Sequence, residues 1–457
     1  MDATQHRHHW RAERALPPEL WQEVFRCCCV ADAILSAEAA PRLDNSRTAR
    51  TPYDISAVCA LWRTIALETA ELWTFIHVCI RSQTSDQAVL AMVQTNIHRS
   101  VDQALQLLVY VAAEECYDQQ VLHRAESWLG GLYDNLGMVL HRWRRCYIQL
   151  SGSLIGRLNI LRKPTPVLKE LILMPFHGHR AGPLPVDCDL WHRYPHLAHA
   201  PQLHRLESHC VCLLPLAPLK RLEYLSYSLR HDSVGDGPVW LALAKTPALR
   251  ELHIYFPTPE DHEEYDHLLG KDILLPALET LGVYGIPGQA LSFELVKMPR
   301  LRTLLVSNDA CDMLGNLFGA VSGEVRHVVI TSVEEMQTGF LSAHTIEGLS
   351  SLISVETLEL RGLGSGIFGD HGAFFSSLAI YLPSVTRIFI SHCRLHLDDC
   401  GPIAKLVDQN LESSSSQYKI SFKHTTVLWD SKKPPEWYAS LAQIFAEAIM
   451  VDVQDFC

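Results

Sequence analysis

The sequence predicts an α/β fold in which a small N-terminal helical module precedes an irregular solenoid of short parallel strands and helices. Two amphipathic segments near the N-terminus predict the helices of the module. An apolar pattern that recurs from residue 166 onward predicts the strands. The 457 residues are too many for one compact core, which favours several units or an extended array.

The composition narrows the class of protein. Apolar residues make up 48% of the chain and charged residues 20%, as in an ordinary folded protein. The net charge of -12 disfavours nucleic-acid binding, because a phosphate-binding surface is rich in Lys and Arg. Residues 1–10 contain no secretory signal, and no apolar run approaches the ~20 residues that span a bilayer. Since the 14 cysteines form no regular framework, we expect an intracellular protein, cytoplasmic or nuclear, that does not bind membranes.

The first predicted helix occupies residues 16–29, after an expected disordered tail over residues 1–15. Pro17 and Pro18 suit a first helical turn, and Glu19 complements the positive end of the helix dipole. An apolar stripe runs along the helix through Leu20, Val24 and Cys28, widened by Trp21 and Phe25. So short a helix is not stable alone, and we therefore expect the stripe to be buried.

A second helix is predicted over four turns, with Asp54 as its N-cap. One sustained apolar face carries this prediction, and its members are Ile55, Val58, Cys59, Trp62, Ile65, Ala66 and Thr69. Leu72 and Trp73 follow as a terminal apolar pair. Between the two helices, residues 36–52 read as a polar loop.

Three parts of this region resemble the F-box, and more narrowly the F-box-like proteins abundant in mushroom-forming fungi. These parts are Leu-Pro-Pro-Glu-Leu at residues 16–20 with Val24 and Phe25, then residues 55–67, then the closing Leu72 and Trp73. The similarity covers about residues 16–76, and we assign residues 16–82 to an F-box-like domain. The sequence departs from the common pattern in the longer loop 36–52 and in Ala70, where a proline is usual.

The resemblance implies that the module binds the SKP-type adaptor of an SCF-type cullin–RING ubiquitin ligase, and that the repeats recruit a protein substrate. Proteins with an F-box catalyse nothing themselves, so it implies neither an enzyme nor a cofactor. The residues that it assigns to the adaptor surface are Leu16, Pro17, Leu20, Val24, Phe25, Val58, Trp62, Ile65, Leu72 and Trp73. The alternative is a non-catalytic interaction scaffold, in which the two helices cap the solenoid and recruit no ligase.

The repeating pattern consists of an apolar residue followed by two more at the third and fifth positions after it. It occurs at Leu168/Leu171/Leu173, Leu219/Leu222/Tyr224, Leu249/Leu252/Ile254, Leu278/Leu281/Val283, Leu301/Leu304/Val306, Val325/Val328/Ile330, Val355/Leu358/Leu360 and Val385/Ile388/Ile390, with a degenerate copy at Leu203/Leu206. The spacing overlaps that of leucine-rich repeats. The last two positions share one face of a short strand and stack on the next repeat. Because the asparagine of regular repeats is absent, we predict a divergent leucine-rich-repeat-like solenoid over residues 146–457.

Helices and a bridge complete the predicted organisation. The stretches Val239–Ala244 and Ala373–Tyr381 are expected to supply helices between the strands. Residues 83–145 are expected to bridge the two domains, with a strand at Ala104–Val111. The bridge should also hold a helix through Leu122, Leu129, Leu132, Tyr133, Leu136 and Leu140, leading to a strand at Cys146–Leu150. A C-terminal capping helix is predicted from Trp437, Leu441, Ile444, Phe445 and Ile449.

The positions that point away from the predicted core are the candidate contacts for a protein target. They are Glu223, His253, Tyr255, Tyr284, Glu359, Arg361 and Phe389. Aromatic residues and arginine are the types that anchor protein interfaces. Surface positions of any solenoid would have a similar composition, so this prediction is the least specific one.

Three sequence clusters suggest other chemistry, and each has a plainer interpretation. Gly364-Ser365-Gly366-Ile367-Phe368-Gly369 matches a dinucleotide-binding pattern, but too little chain follows for a Rossmann domain, and a turn within a repeat is favoured. A group of histidines and cysteines lacks paired metal-ligand spacing and reads as a surface insertion; it comprises His177, His179, Cys188, His192, His196, His199, His204, His209, Cys210 and Cys212. Cys27, Cys28 and Cys29 lie on a predicted helix that faces a core, which disfavours a catalytic thiol. We therefore predict neither a metal site nor a cofactor site.

Overall fold

The computed structural model describes part of the chain. The described residues are 16–29, 46–82, 85–111, 119–150, 161, 163–175, 197, 199–208, 219–228, 243–255, 273–285, 296–307, 325–331, 346–347, 349–362, 373–396, 419–423, 425–428 and 449–452. The chain divides into two compact units, Met1–Arg221 and Leu222–Cys457, which we call unit 1 and unit 2. Within the described residues, none of the helices combines the length and the apolar character that crossing a membrane requires.

The described residues of unit 1 form five helices and a ladder of five parallel strands. The helices are α1 (Pro18–Cys29), α2 (Ser46–Val58), α3 (Ala60–Glu68), α4 (Asp86–Arg99) and α5 (Gln119–Met138). The strands pair in chain order and are β1 (Phe75–Ile80), β2 (Leu105–Val111), β3 (Trp143–Leu150), β4 (Glu170–Pro175) and β5 (Arg205–Ser208). Short 3-10 helices at Ala70–Trp73 and Leu140–Arg142 lead into β1 and β3.

Unit 2 contains a longer parallel ladder. Its strands are β6 (Tyr224–Ser228), β7 (Glu251–Tyr255), β9 (Thr280–Tyr284), β11 (Thr303–Ser307), β12 (His327–Thr331), β13 (Thr357–Arg361), β14 (Arg387–Ser391) and β16 (Lys419–Lys423). Two small parallel sheets lie beside it, formed by β8 (Ile273–Leu274) with β10 (Val296–Lys297), and by β15 (Arg394–His396), β17 (Thr425–Leu428) and β18 (Ile449–Asp452). One helix of unit 2 is described, α6 (Ala373–Tyr381), as predicted. The predicted α/β fold of short parallel strands and helices is confirmed.

The register of the unit 2 ladder explains the repeating pattern. Strand partners line up the middle apolar positions in one buried row: Leu225, Leu252, Leu281, Leu304, Val328, Leu358 and Ile388. The last positions form a second buried row: Tyr227, Ile254, Val283, Val306, Ile330, Leu360 and Ile390. Because strand side chains alternate, both rows face the same core. Each fully buried aliphatic side chain contributes about 1.5–3 kcal/mol of transfer free energy.

The predicted frame of one repeat is wrong by three residues. The sequence pattern was placed at Leu219, Leu222 and Tyr224, but Leu225 pairs with Leu252 and Tyr227 with Ile254. Tyr224 lies on the opposite side of the strand and is half-buried. Two placements of the pattern fit the sequence, because it can begin either at Leu219 or three residues later. Pairing with β7 decides between them, since a shift of an odd number of residues reverses the faces of the strand.

The parallel ladder of unit 1 begins at Phe75. That position lies in the range assigned to the F-box-like domain. The elements α4, β2 and α5 all lie in the predicted bridge 83–145. The strands predicted at 104–111 and 146–150 are confirmed, and the second of them starts earlier, at Trp143. Two early copies of the repeat pattern went unrecognised, Trp73/Ile76/Val78 and Trp143/Cys146/Ile148, and all six side chains are buried.

The second predicted helix is wrong in its extent. Residues 46–52, predicted as loop, belong to α2, and Asp54 lies inside that helix rather than at its start. The chain then breaks at Cys59, which adopts an extended conformation with φ -155 and ψ 172. The Cys59 Sγ accepts a hydrogen bond from the Trp62 backbone N–H at 3.4 Å and so caps α3. A cysteine is not one of the usual N-cap residues Ser, Thr, Asp and Asn, so the break could not be predicted from the capping pattern.

Several predictions lie outside the described residues. These are the tail 1–15, the loop portion 36–45, the glycine motif 364–369, the stretch 239–242 and the capping-helix residues Trp437, Leu441, Ile444 and Phe445. Ile449, the last residue of that predicted helix, belongs to strand β18 instead. Its neighbours Met450 and Val451 continue the strand and pair with β17.

Candidate functional site

One side of helix α1 packs against the rest of the chain, and the other side is exposed. Trp21 is half-buried and Phe25 is 1% exposed, and both rings contact the core of the N-terminal helical module, which comprises α1 to α3 and the turn Ala70–Trp73. On the other side, Leu20 is 49% exposed and Val24 43% exposed. Of the predicted apolar stripe, Trp21 and Phe25 therefore pack within the chain, whereas Leu20, Val24 and Cys28 are exposed. The aromatic residues bury more apolar area and occupy the inner side instead.

The core of the module is aromatic. The centroid of the Trp62 ring lies 4.9 Å from that of Trp21 and 5.1 Å from that of Phe25. Ile65, Ala66, Leu72 and Trp73 complete this core and are buried. The core fixes α1 against α3, which holds the outer side of α1 in place.

The ten predicted adaptor-binding residues separate into two groups. Phe25, Ile65, Leu72 and Trp73 are buried within the chain and support the module from inside. Leu16, Pro17, Leu20, Val24 and Val58 are exposed, and Trp62 is half-buried between the two groups. Leu61 and Leu67 of α3 are also exposed, at 40% and 41%, and the sequence analysis missed them because they lie off the predicted apolar face.

Exposed apolar side chains on α1 and just before it form the first candidate site, which we call the α1 outer surface and define as Leu16, Leu20 and Val24. Leu20 and Val24 are spaced i, i+4, so they lie on one side of the helix. Scattered single leucines on a surface are ordinary, but aligned apolar residues on a helix suit docking against partner helices. The surface contains no charged group of its own.

Cys29, at the end of α1, is not an activated nucleophile. Burial, followed by the proximity of Cys28, raises the pKa of the Cys29 thiol to about 12. Because the thiolate is the reactive form, Cys29 is inert near neutral pH. Cys27 and Cys28 are exposed.

The second candidate site lies on the side of the unit 2 ladder that faces away from the two buried rows, which we call the outer face. Tyr224, His253, Tyr255 and Tyr284 form an aromatic cluster there, on β6, β7 and β9. The Tyr255 and Tyr284 rings stack with centroids 4.4 Å apart, and His253 stacks on Tyr284 at 5.8 Å. The ring centroids of Tyr224 and His253 lie 5.3 Å apart. The cluster extends across three strands, with Tyr224 and Tyr255 half-buried and His253 and Tyr284 buried.

Hydrogen bonds fix the orientation of His253. Its Nε2 lies 2.7 Å from the Glu251 carboxylate, which can only accept, so Nε2 donates. In the neutral ring, Nδ1 then accepts from the Tyr284 hydroxyl at 2.9 Å. Burial raises the pKa of Tyr284 above its usual range, so the hydroxyl keeps the proton that it donates. The aromatic cluster is therefore rigid before any ligand arrives.

Gly282 makes room for this arrangement, and Gly282→Ala is expected to destabilise unit 2 by about 1–3 kcal/mol. A Cβ at residue 282 would overlap His253 Nδ1 and lie 2.9 Å from Tyr284 Cε2. The matched control is Gly131→Ala on α5, where a Cβ meets no heavy atom of the described residues within 4 Å. That change should stabilise the chain by about 0.5–1 kcal/mol, as Gly to Ala does inside a helix. Chemical denaturation measures both, and an equal effect at the two sites would contradict the steric argument.

An ionic cluster occupies the outer face at β12 to β14. The Glu359 carboxylate accepts hydrogen bonds from Ser391 Oγ at 2.6 Å and from Arg361 Nε at 2.8 Å, and His327 Nε2 lies 3.4 Å from it. His327 is the largest of the influences that hold the pKa of Glu359 well below its usual range, and Arg361 and Ser391 act in the same direction. Burial acts in the opposite direction and is outweighed.

This lowered pKa predicts an acid dependence of stability. A carboxyl group with a lower pKa in the folded state binds fewer protons there than in the unfolded state, so stability rises with pH. The contribution of Glu359 is complete above its ordinary pKa of 4.5 and is lost as pH falls below that value. The stability difference between the native chain and Glu359→Gln should therefore stay constant above about pH 5 and shrink as the pH falls from about 5 to about 3. Ser391→Ala should lower the free energy of unfolding less in the Glu359→Gln variant than in the native chain. Equal decreases in the two backgrounds would contradict the coupling between Ser391 and Glu359.

The predicted target contacts are not equally available. Arg361 is 46% exposed at its side chain, whereas Tyr255, Glu359 and Phe389 are half-buried. His253 and Tyr284 are 7% and 8% exposed, and Glu223 is exposed but precedes β6. The sequence analysis missed Tyr224, Arg387, Lys419 and Lys423 on the same face. The alternation of side chains within each strand could have predicted these positions. It was not applied correctly because the frame at β6 was wrong and strand β16 was not recognised.

The described part of the chain contains no cluster of three or more His, Cys, Asp or Glu side chains able to hold a metal ion. Of the histidine- and cysteine-rich group, only His199 and His204 lie among the described residues. His204 Nε2 lies 3.7 Å from the Glu170 carboxylate, which also contacts Arg145 at 3.0 Å. These contacts belong to the ladder of unit 1.

Comparison with known proteins yields structural similarity alone. No family model and no curated protein matches the sequence. Among solved structures, an internalin from Listeria monocytogenes is 14% identical with a TM-score of 0.27, over 86% of this chain and 89% of the internalin. Rad7 from a yeast Rad7–Elc1 complex is 13% identical with a TM-score of 0.27, over 85% and 90%. TLR13 from a complex with ssRNA13 is 13% identical with a TM-score of 0.30, over 70% of this chain and 48% of TLR13. At these TM-scores, the description of the fold depends on the strand register and burial given above.

Proposed function

We propose that the chain is a substrate-recognition adaptor of an SCF-type ubiquitin ligase. The N-terminal helical module binds an SKP-type adaptor and through it a cullin–RING ligase, and the repeats bind a protein target. The chain itself catalyses nothing. It acts by holding the target near a charged ubiquitin-conjugating enzyme, which raises the effective concentration of the target lysine. This function belongs inside the cell, in the cytoplasm or the nucleus.

The α1 outer surface carries the proposal. Leu20 and Val24 are exposed on a helix whose other side already fills the core with Trp21 and Phe25. Leu20 and Val24 are therefore not needed to fill the core. Contact with a partner protein would explain why both lie exposed on one side of the helix. Their sequence context resembles the F-box, in which residues at these places contact the adaptor.

The repeats support the second half of the proposal. Their outer face combines a rigid aromatic cluster with exposed arginine, and these residue types dominate the energetics of protein interfaces. The alternative function, a scaffold that recruits no ligase, uses the same outer face and differs only at the α1 outer surface.

Binding of the purified chain to a recombinant SKP-type adaptor tests the proposal. We expect a one-to-one complex in size-exclusion chromatography and a Kd below about 1 µM by titration calorimetry. Failure to bind at about 50 µM adaptor would refute the ligase function and favour the scaffold.

A further inference from the structure

The outer face of unit 2 is basic at one end. Register pairs Arg387 with Lys419 across β14 and β16, and Ser391 with Lys423, so these side chains share the face that carries Arg361. Lys419 and Lys423 are exposed, and Arg387 is 51% exposed at its side chain. The outer positions of β13, β14 and β16 thus hold four cations and one carboxylate, in a chain of net charge -12. We call these four cations the basic sector.

The carboxylate in this sector is already engaged. Glu359 accepts from Arg361 and Ser391. Glu356, just before β13, is 47% exposed and lies 3.9 Å from Arg387 and 3.7 Å from Arg326, distances typical of weak surface pairs. Among the described residues, neither Lys419 nor Lys423 has an ion-pair partner. The sector therefore attracts anions from outside the chain.

The aromatic cluster lies at the other end of the same face. Three strand-to-strand steps separate β9 from β13, through β11 and β12. At about 4.8 Å per step, the aromatic cluster lies about 14 Å from β13, the nearest strand of the basic sector, and about 24 Å from β16. Between them lie the outer positions Thr303, Leu305 and Val329, which are uncharged, and His327, which belongs to the ionic cluster. A ligand that spans both ends would cross Thr303, Leu305 and Val329 before it reaches the basic sector.

We propose that the outer face of unit 2 binds an extended anionic peptide, with an aromatic or large apolar side chain on the aromatic cluster and carboxylate or phosphate groups on the basic sector. This inference rests on the proposed function in that it names the chemistry of the target. An extended chain rises about 3.3 Å per residue, so about four residues separate the two groups. Hydrophobic contact anchors one end, and charge steers and orients the other.

Fluorescence anisotropy with the full chain tests this proposal directly. The probes are fluorescein-labelled peptides with one tryptophan and, four residues away, three glutamates, in either order along the peptide. Companion probes carry three phosphoserines or three lysines in place of the glutamates. We expect the glutamate or phosphoserine probes to bind in one of the two orders, the lysine probes not to bind, and affinity to fall as salt rises. Equal binding of the lysine and anionic probes would overturn the proposal.

Charge-matched variants locate the site. Lys419→Glu with Lys423→Glu should weaken binding of the anionic probe about tenfold or more. The control, Lys163→Glu with Lys245→Glu, changes the net charge equally at exposed positions outside the outer face and should leave the affinity unchanged. Tyr255→Ala should weaken the tryptophan probe and leave a probe with glycine in place of tryptophan unaffected. An equal loss in both lysine pairs would overturn the proposal.

Adaptor binding is measured on the same preparations, so that the two proposals fail separately. Loss of the anionic-peptide preference with adaptor binding retained overturns only the inference about the outer face. Loss of adaptor binding with peptide binding retained overturns only the ligase function. A single-stranded oligonucleotide that binds more tightly than every peptide probe would reassign the basic sector to nucleic acid and overturn the peptide proposal.

Discussion

Leu20→Asp is expected to weaken binding to an SKP-type adaptor by about 100-fold or more while the chain stays folded. Leu20 is 49% exposed, so the free chain accepts a carboxylate there with little loss of stability. In the proposed complex, the same carboxylate would be buried against an apolar partner without a compensating charge. Burying an unpaired charge costs several kcal/mol, and each 1.4 kcal/mol is a factor of ten in Kd.

A matched substitution elsewhere separates a specific effect from a general one. Ile380 on α6 is 72% exposed, so Ile380→Asp introduces the same charge at an apolar surface position of unit 2. We expect adaptor binding of this variant to equal that of the native chain in titration calorimetry. Circular dichroism should show native folding for both. Full affinity of Leu20→Asp would remove the α1 outer surface from the interaction.

The strands were the most predictable part of the fold. Patterns such as Leu301/Leu304/Val306 repeat at short intervals, and each copy buries its apolar side chains in the rows predicted. The pattern worked because β-strand alternation and stacking impose the same requirement on every repeat. It failed at Leu219/Leu222/Tyr224, where two frames fit equally and only pairing with the next strand could choose.

The candidate sites were less predictable, because their chemistry depends on which side of an element is buried. In α1, Leu20 with Val24 and Trp21 with Phe25 are two apolar sides of one helix, and periodicity alone does not rank them. On the outer face, alternation could locate His253 and Tyr284, but their burial depends on ring stacking between strands. The prediction that α2 and α3 form one helix failed at Cys59, whose capping role has no common sequence signal.

Trp73→Ala is expected to lower the free energy of unfolding of unit 1 by about 3–5 kcal/mol. The Trp73 side chain is fully buried, and its Nε1 donates to the Ala66 carbonyl at 2.8 Å. The ring packs edge-on against Tyr53 at 5.0 Å, and the Arg99 guanidinium lies 4.3 Å from its centroid. It thus joins α2, α3 and α4 just before β1, and its removal leaves a cavity in the core of the module.

Further variants test how much of this stabilisation comes from the packing of the ring and how much from the hydrogen bond. Trp73→Phe keeps much of the buried ring but loses the hydrogen bond to Ala66, so it should cost clearly less than Trp73→Ala. Met138→Ala removes an apolar side chain that is 71% exposed, and it should change stability by less than about 0.5 kcal/mol. Denaturant unfolding followed by circular dichroism measures all three. Trp73 supports α1 through the module core, so Trp73→Ala should weaken adaptor binding only to the extent that it unfolds the module. Leu20→Asp, in contrast, should weaken binding while the chain stays folded. A Trp73→Ala variant as stable as Met138→Ala would contradict the contribution assigned to Trp73 in the core of the module.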